Sequence, residues 1–432
     1  MDPRHNAATM DRSDDISRLL AEEVAVAHVE RVFDAIAELV DSVDGVYLVG
    51  GAVRDVLLAA ESFDVDIVVE GDGIEFARAL ATALDGRCTP HQRFGTAIVR
   101  YAGDARVDVV TARRERYDAP GTLPAVERAS IEEDLGRRDF TINAMAVSLG
   151  RTELGRLVDP FGGRDDLERG VVRVLHDRSF VDDPTRIFRA VRYEERYGFR
   201  LDAHSDDLAR LSIATGLVGD LSSARLRDEL VALLDDPGAA GGIVRLGELG
   251  ADRAIRPGLR GDREAAQLYT RALALRDELG LDVPAWRIGL AALARDLTGE
   301  QVEDWLDRLA VRRRDAALVA GAVVEAPRLV ERLRSEMQPA EVVALADPFA
   351  PDAPLLALVR EDQPRLREYF TRLRDVELEI GGAELAELGL AESPRVGEVL
   401  AELRRRKLNG ELGGRESELA AARELVAAGE AS

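Results

Sequence analysis

Two adjacent glycines, Gly50 and Gly51, follow a short apolar run, and an Asp-x-Asp pair, Asp64 and Asp66, comes after twelve intervening residues. Glycines at the start of a helix let backbone amides approach a phosphate group closely, because no side chain intervenes. Residues i and i+2 of a strand project from one face of a sheet, so Asp64 and Asp66 are expected side by side. This spacing predicts a compact α/β unit in which a phosphate-binding turn lies near two carboxylates.

The remaining sequence divides into a short β-rich part and a long helical part. Residues 15–43 and 73–84 have a helical period, and short β-rich runs lie at 46–49, 65–69, 96–101 and 107–110. Residues 112–130 show little apolar periodicity, which predicts a loop. Beyond Asp183 strand patterns nearly vanish and helical periods continue to the end. We therefore predict an α+β fold, with a mixed five-stranded sheet and its helices followed by an elongated all-α region.

Composition limits where such a protein acts. Hydrophobic residues make up 46% and charged residues 32% of the sequence, which is the balance of a soluble folded protein. No apolar run approaches the roughly 18 residues that cross a bilayer, so we expect a cytoplasmic protein with no membrane partner. Cys88 is the only cysteine, so it has no disulfide partner in the chain and cannot build a cysteine zinc cluster.

Charge alone does not decide whether the protein binds nucleic acid. The formal net charge of -23 disfavours nonspecific binding of polyanions, which usually needs a basic surface. Nearly every cation is an arginine, with Lys407 the only lysine, and arginine binds phosphate bidentately. The histidines end at His204, so the later helices cannot form a His-Asp metal site. Nucleic-acid binding therefore stays open through local arginine clusters.

Paired carboxylates on one strand face can hold Mg²⁺. Phosphoryl transfer depends on metal ions that position a hydroxyl and neutralise a triphosphate. Asp108, on the run 107–110, is the candidate for a third carboxylate, acting on the hydroxyl of a primer. The residues thus predict Mg²⁺ at Asp64 and Asp66, and catalytic roles for Asp64, Asp66 and Asp108.

Five motifs in order give the sequence a family resemblance. The glycine pair followed by Asp-x-Asp is typical of the polymerase-beta-like nucleotidyltransferases. Three further motifs follow at Arg137–Ala146 (RRDFTINAMA), Asp159–Gly163 (DPFGG) and Asp182–Tyr193 (DDPTRIFRAVRY). Over residues 45–230 the chain resembles the class II tRNA nucleotidyltransferase and bacterial poly(A) polymerase family. It departs from many relatives where Asp182 stands in place of glutamate.

The resemblance implies template-independent addition of CMP, AMP or both, from CTP and ATP, to the 3' end of tRNA with Mg²⁺ as cofactor. Asp183 and Arg186 would read the base of the incoming nucleotide, while Arg138 and Asp139 would contact its sugar and phosphates. The implied nucleotide-binding residues are Gly50, Gly51, Arg54, Arg138, Asp139, Asn143, Asp183, Arg186, Arg189 and Arg192.

The helical half is expected to bind tRNA through its two densest basic clusters. These clusters are Arg312, Arg313 and Arg314, and Arg404, Arg405, Arg406 and Lys407. The predicted segments are 1–44 (tail and helix), 45–180 (nucleotidyltransferase head), 181–250 (neck with the nucleotide-selecting helix), 251–340 (helical body) and 341–432 (RNA-binding tail).

Three alternatives stay open at this point. One is a poly(A) polymerase of the same family, one is a catalytically silent RNA-binding protein, and one is a small-molecule nucleotidyltransferase. Within the leading interpretation, the sequence does not decide between addition of CCA, CC, A or poly(A).

Overall fold

The computed structural model of this chain describes residues 27–59, 65–103, 105–116, 125–390 and 393–430. The chain divides into two compact units, Met1–Leu221 and Ser222–Ser432. Among the described residues, the first unit combines sheets with helices and the second is helical. This confirms the predicted α+β class. The boundary falls inside the predicted neck, 181–250, and the limits of the five predicted segments stay predictions.

Strands occur only in the first unit of the described chain. They are β1 (Gly45–Val49), β2 (Val65–Glu70), β3 (Arg87–His91), β4 (Thr96–Tyr101), β5 (Ala105–Thr111), β6 (Arg113–Arg116), β7 (Ala125–Arg128), β8 (Ala146–Ser148), β9 (Leu157–Val158), β10 (Val171–Val172) and β11 (Arg200–Leu201). Seven of these form one mixed sheet in the order β3-β4-β5-β2-β1-β8-β9. Strands β2 and β5 are parallel, and the other neighbours in this sheet are antiparallel.

The prediction of five strands is wrong in number. Strand β3 is mostly exposed and contains Pro90, so it lacks the apolar alternation that identifies a strand. Strands β8 and β9 are too short to show any alternation. The four strands with β-rich runs are confirmed.

The described helices of the first unit lie on both faces of the main sheet. They are α1 (Ala27–Leu39), α2 (Gly51–Leu57), α3 (Gly73–Ala83), α4 (Ile131–Gly136), α5 (Gly163–Arg169), α6 (Ser179–Asp182), α7 (Arg186–Tyr197) and α8 (Ala203–Ala214). Helix α3 packs across β2, β3, β4 and β5, and α1 packs on α3. The predicted helix at 15–43 is confirmed from Ala27 to Leu39, and its beginning lies outside the described residues.

Residues 112–130 are not simply a loop, which corrects the sequence prediction. Strands β6 and β7 pair antiparallel, with Arg114 opposite Glu127 and their side chains 2.7 Å apart. The sequence hides this ribbon because charged residues occupy both of its faces. Residues 117–124, between the two strands, lie outside the described residues.

The second unit confirms the predicted helical period. Its helices are α9 (Ser223–Leu234), α10 (Ala239–Leu249), α11 (Ala251–Ile255), α12 (Arg263–Glu278), α13 (Ala285–Leu293), α14 (Gly299–Arg308), α15 (Arg313–Leu333), α16 (Pro339–Ala346), α17 (Asp352–Arg360), α18 (Pro364–Thr371), α19 (Gly382–Glu387), α20 (Pro394–Leu408) and α21 (Arg415–Glu430). Over the described ranges, no single helix is long and apolar enough to cross a membrane. One pair, Pro339–Phe349 with Asp352–Arg360, reaches that length and composition together but is bent by 115°.

A buried charge cluster lies where α13, α15 and α17 meet. Arg287 on α13 donates a hydrogen bond to Asp315 at 3.2 Å and lies 3.2 Å from Asp352 on α17. Asp352 is 3% exposed, and its Oδ2 has no hydrogen-bond partner among the described residues. A buried carboxylate in this state favours the protonated form.

We expect the free energy of unfolding of this unit to fall as the pH rises from about 4 to about 6. Burial raises the pKa of Asp352 from 3.8 to about 6, although Arg287 opposes the shift. The folded state then binds this proton more tightly than the unfolded chain does, so ionisation destabilises the fold. In thermal melts across this pH range, Asp352→Asn should flatten the dependence and the exposed control Asp375→Asn should not. An unchanged slope in Asp352→Asn would contradict this assignment.

Candidate functional site

Two carboxylates lie side by side on neighbouring strands of the main sheet. Asp66 on β2 and Asp108 on β5 are partners in a parallel register. Residues on either side of Asp108 are buried in the layer that α3 covers, whereas Asp108 itself is half-buried on the opposite face. Because cross-strand partners project from the same face, Asp66 shares that face with Asp108. Asp64 lies outside the described residues, so its predicted place beside Asp66 stays a prediction.

The carboxylate pair presents oxygen atoms that can coordinate a hard cation. Oδ1 of Asp108 is buried and has no hydrogen-bond partner among the described residues, and its Oδ2 lies 3.4 Å from Nη2 of Arg106. Carboxylate oxygens are the ligands that Mg²⁺ prefers. No group of three or more His, Cys, Asp or Glu side chains in the described ranges could hold a metal. Asp66 and Asp108 fit a divalent cation as two of its ligands, and the other predicted metal ligand, Asp64, lies two residues before Asp66 in sequence.

A glycine turn follows directly beyond this pair. Leu48 on β1 pairs with Ile67 on β2, so β1 ends beside Asp66 and the turn begins there. Gly50 has a φ of 65°, and a Cβ at this position would lie 2.6 Å from Nη1 of Arg138. Its amide donates a hydrogen bond to the carbonyl of Met145 at 3.1 Å. Glycine is required at residue 50 by the backbone conformation, and the absence of a side chain leaves the space that Nη1 of Arg138 occupies.

Arg138 is held against this turn by a fully buried carboxylate. Its Nη2 donates to Asp134 at 3.0 Å, and its Nε is buried with no hydrogen-bond partner within the described part of the chain. Burial raises the pKa of Asp134, but Arg137 and Arg138 lower it further, so that the net pKa is below the ordinary value. Asp134 thus keeps its charge and fixes Arg138 beside Gly50.

Arg54 is enclosed by aromatic rings. It is 6% exposed, and its guanidinium lies 4.8 Å from the ring centre of Tyr197 and 5.4 Å from that of Tyr193. Its Nε donates to Asp55 at 2.9 Å. Cation–π contacts of this kind stabilise a buried guanidinium. The structure therefore gives Arg54 a supporting position beneath the glycine turn, and its implied binding of the nucleotide stays a prediction.

Asp139 joins α7 to the turn through a closed set of contacts. Its Oδ2 accepts hydrogen bonds from Nε and Nη2 of Arg189 at 2.8 and 2.7 Å, and its Oδ1 accepts from Asn143 at 3.0 Å. Asn143 accepts from Nη1 of Arg54 at 2.6 Å, and Arg189 donates to the Tyr193 hydroxyl at 3.1 Å. We call Arg54, Asp139, Asn143, Arg189 and Tyr193 the arginine–aspartate ring.

Electrostatics keep the ring ionised. Burial raises the pKa of Asp139, but the charge of Arg189 and the hydrogen bonds from Asn143 and Arg189 lower it further, and the net pKa is below its ordinary value. Asp139 is 8% exposed. A buried charge of this kind is stable only when it is paired and hydrogen-bonded.

The predicted base-reading residues lie at the start of α7. The carboxylate of Asp183 accepts hydrogen bonds from the amide and hydroxyl of Thr185 at 3.0 and 2.6 Å. Arg186 is 5% exposed, and it donates to the Arg137 carbonyl at 2.7 Å and to Ser179 at 2.5 Å. Arg192 lies 5.9 Å from the ring centre of Tyr193. The predicted arginines of α7 thus share one helix, and their roles toward a nucleotide stay predictions.

The Asp159–Gly163 motif has a structural explanation that sequence reasoning does not supply. Asp159 accepts hydrogen bonds from the amides of Gly163 and Arg164 at 2.7 and 3.0 Å, which caps α5. A Cβ at Gly163 would lie 2.1 Å from the Thr141 carbonyl. The motif therefore seats α5 against the turn that carries Asn143. Asp134, Tyr193 and Tyr197 are further site residues that sequence reasoning misses, since only tertiary contacts reveal them.

The two basic clusters of the second unit differ in their partners. Arg405 and Arg406 donate to Glu402 at 2.7 and 2.9 Å, and Lys407 donates to the buried Glu418 at 2.6 Å. Arg404 lies 3.6 Å from Asp347. By contrast, the cluster at 312–314 is exposed and has no carboxylate partner among the described residues. Of these two clusters, the one at 312–314 therefore offers the uncompensated positive charge among the described residues.

Known proteins are similar to this chain over most of its length. The family model for the Poly A polymerase head domain matches residues 46–173. An A-adding tRNA nucleotidyltransferase from Geobacter sulfurreducens is 36% identical over 87% of this chain. A CC-adding tRNA nucleotidyltransferase from Deinococcus radiodurans is 32% identical, covering 88% of this chain and 89% of that protein.

A solved structure has the same fold. It is an apo form of a CCA-adding enzyme, and it matches with a TM-score of 0.83 and 33% identity over 96% of this chain and 99% of that one. This chain spans 44% to 49% of the length of three A-adding relatives, the Geobacter protein among them.

Proposed function

Because this chain belongs to the tRNA nucleotidyltransferase family, we propose that it transfers CMP, AMP or both from CTP and ATP to the 3' end of tRNA. The observation that carries the proposal is the Asp66–Asp108 pair beside the Gly50 turn. Phosphoryl transfer needs this juxtaposition of carboxylates with a phosphate-binding turn. A cytoplasmic location, where tRNA is processed, is part of the proposal.

Mg²⁺ is the proposed cofactor. When bound, it supplies neutralisation of the triphosphate and activation of the attacking hydroxyl. Asp66 and Asp108 would hold it with Asp64, and the buried Oδ1 of Asp108 favours this role because a metal would satisfy it. Asp108 additionally faces the primer hydroxyl in this proposal, so its carboxylate orients that hydroxyl and accepts its proton.

The chain's own groups position the nucleotide. The amides at the start of α2 point toward the turn, and no side chain at Gly50 or Gly51 blocks a triphosphate there. Arg138 adds a charge beside Gly50, fixed by Asp134. The arginine–aspartate ring holds α7 against this turn, so that Asp183 and Arg186 would face the base. Selection of the base by these two residues requires Arg186 to exchange its present hydrogen bonds for bonds to the nucleotide.

One assay tests the function and separates its alternatives. Purified protein with Mg²⁺ would be offered tRNAs ending before C74, after C75 or complete, each with CTP or ATP alone. Addition of defined nucleotides to the incomplete tRNAs supports the proposal and identifies a CCA, CC or A enzyme. Long AMP tracts on any RNA would instead indicate a poly(A) polymerase, and RNA binding without transfer would indicate a silent RNA-binding protein.

We further expect the two basic clusters to differ in their effect on tRNA binding. Replacing Arg312, Arg313 and Arg314 together by glutamine should weaken tRNA binding about tenfold at low salt, because each lost phosphate contact reduces counterion release. Replacing Arg405 by glutamine should have little effect, since Glu402 already neutralises it. Binding titrations at several salt concentrations measure both the dissociation constant and its salt dependence.

The comparison of these clusters contains its own control. Arg405→Gln removes an arginine that is also exposed and belongs to the same unit. If loss of net charge alone weakens tRNA binding, substitutions in either cluster should weaken it. Equal effects per residue removed would contradict the assignment of tRNA binding to 312–314.

A further inference from the structure

Three arginines stand in one row across the edge of the main sheet. Arg87 on β3 is the register partner of Arg100 on β4, and Arg100 is the register partner of Arg106 on β5. All three are exposed. Register partners project from the same face, and neighbouring strands are about 4.8 Å apart. We call Arg87, Arg100 and Arg106 the arginine row.

The row shares its face with the carboxylate pair. Asp108 is two residues beyond Arg106 on β5, so both project from one side of the sheet, and Nη2 of Arg106 is 3.4 Å from Oδ2 of Asp108. The intervening positions 97, 99, 107 and 109 are buried, in the layer that α3 packs against. The row therefore runs outward from the carboxylates along the open face.

The row is unfavourable for the folded chain by itself. Like charges directly opposite on a sheet are destabilising, and Arg87 and Arg100 have no carboxylate partner in the described ranges. Charge on an edge strand discourages strand addition, which accounts for Arg87 on β3. It does not account for Arg100 on an inner strand, whereas Arg106 is paired with Asp108. On a chain of net charge -23, an aligned row in which two arginines lack a carboxylate partner within the described ranges indicates a site for an anion.

The position of the row identifies which anion. The glycine turn lies beyond β2, at the end of β1, whereas β5, β4 and β3 extend in the other direction from the carboxylates. An in-line displacement puts the attacking and the leaving oxygens on opposite sides of the reacting phosphorus. The nucleotide and its leaving pyrophosphate would occupy the side with the glycine turn. The arginine row would then face the RNA strand whose 3' hydroxyl attacks.

We propose that the arginine row binds the last phosphodiesters of the RNA primer and directs its 3' hydroxyl to Asp108. The proposal rests on the proposed function, because it names the place of the primer within that site. Guanidinium groups bind phosphate oxygens bidentately and without regard to base. The arginine row thus binds the backbone of the RNA 3' end whichever nucleotide was added last.

The test is a double variant, Arg87→Gln with Arg100→Gln, in the full chain. We expect its dissociation constant for a tRNA lacking the 3' nucleotides, measured without nucleotide, to rise roughly tenfold at low salt. The slope of log K against log salt should fall by about 1.4, which is about 0.7 for each phosphate contact to a single strand. The KM for CTP or ATP at saturating RNA should stay within about twofold, because the row does not face the triphosphate.

Two comparisons make the result specific. Arg78→Gln removes an exposed arginine from α3, on the other face of the same sheet, and should leave RNA binding unchanged. Arg87→Lys with Arg100→Lys should restore most of the binding, since a point charge also attracts phosphate. The melting temperature of the glutamine double variant should equal or exceed that of the wild type, because like-charge repulsion is relieved.

The outcomes separate this inference from the proposed function. Wild-type protein that transfers nucleotides, combined with a double variant that binds RNA with unchanged affinity and salt slope, would overturn the role of the row alone. A rise in the KM for nucleotide with unchanged RNA binding would also overturn it and assign the row to the triphosphate. Absence of transfer by the wild-type protein would instead refute the proposed function.

Discussion

Replacing Asp66 or Asp108 with asparagine should reduce nucleotide transfer by about two to three orders of magnitude, the usual effect of removing one electrostatic group from a reaction centre. Both carboxylates lie in one register position of β2 and β5, so either substitution leaves only the other one, with the proposed ligand Asp64, to hold Mg²⁺. Asparagine keeps the shape of the side chain and removes only its charge. Single-turnover incorporation of radiolabelled nucleotide into an incomplete tRNA measures the loss.

The same variants should still fold and bind RNA. Oδ1 of Asp108 has no hydrogen-bond partner in the described part of the chain, so the neutral amide removes no structural bond there. A matched control is Asp207→Asn, an exposed acid on α8 of the same unit, which should transfer at the wild-type rate. If Asp66→Asn and Asp108→Asn transfer nucleotides at the wild-type rate, the assignment of these residues as metal ligands is wrong. The proposal that this face of the sheet is catalytic would then be wrong as well.

The features that sequence predicts best are those with a strong local period. The apolar alternation in β4 and β5 and the helical period of α3 are each enough to identify the element. Burial of one face requires apolar residues at regular positions, and this produces the period. Strand β3 escapes this reasoning, since it lies at the sheet edge with most of its side chains exposed. The β6–β7 ribbon is missed because charged residues occupy both of its faces.

The site shows a similar division. Spacing alone predicts that Gly50 and Asp66 lie near each other, and in the structure β1, the helix α2 and the antiparallel β2 bring them together. Spacing cannot reveal what encloses Arg54, whose contacts with Asn143 and Tyr197 join positions that are 89 and 143 residues away in sequence. The arginine row is hidden likewise, since its three members become neighbours only once the register of β3, β4 and β5 is known.

Replacing Asp139 with alanine should destabilise the first unit by about 3 kcal/mol, the scale for removing one partner of a buried ion pair. The substitution leaves Arg189, Asn143 and the amide of Phe140 without their common acceptor. The exposed control is Asp165→Ala, whose carboxylate lies 3.9 Å from Arg169 at the surface and should contribute less than about 1 kcal/mol. Chemical denaturation of the two variants and the wild type measures the difference.

The pH dependence of this difference follows from the lowered pKa of Asp139. A carboxyl group whose folded pKa lies below its unfolded value stabilises the fold above the unfolded pKa and loses that contribution as the pH falls through the folded one. The gap between wild type and Asp139→Ala should therefore be full at neutral pH and shrink below about pH 4. A variant with unchanged stability but a raised KM for CTP or ATP would show that Asp139 contacts the nucleotide directly, and that the arginine–aspartate ring is not what holds α7 against the glycine turn.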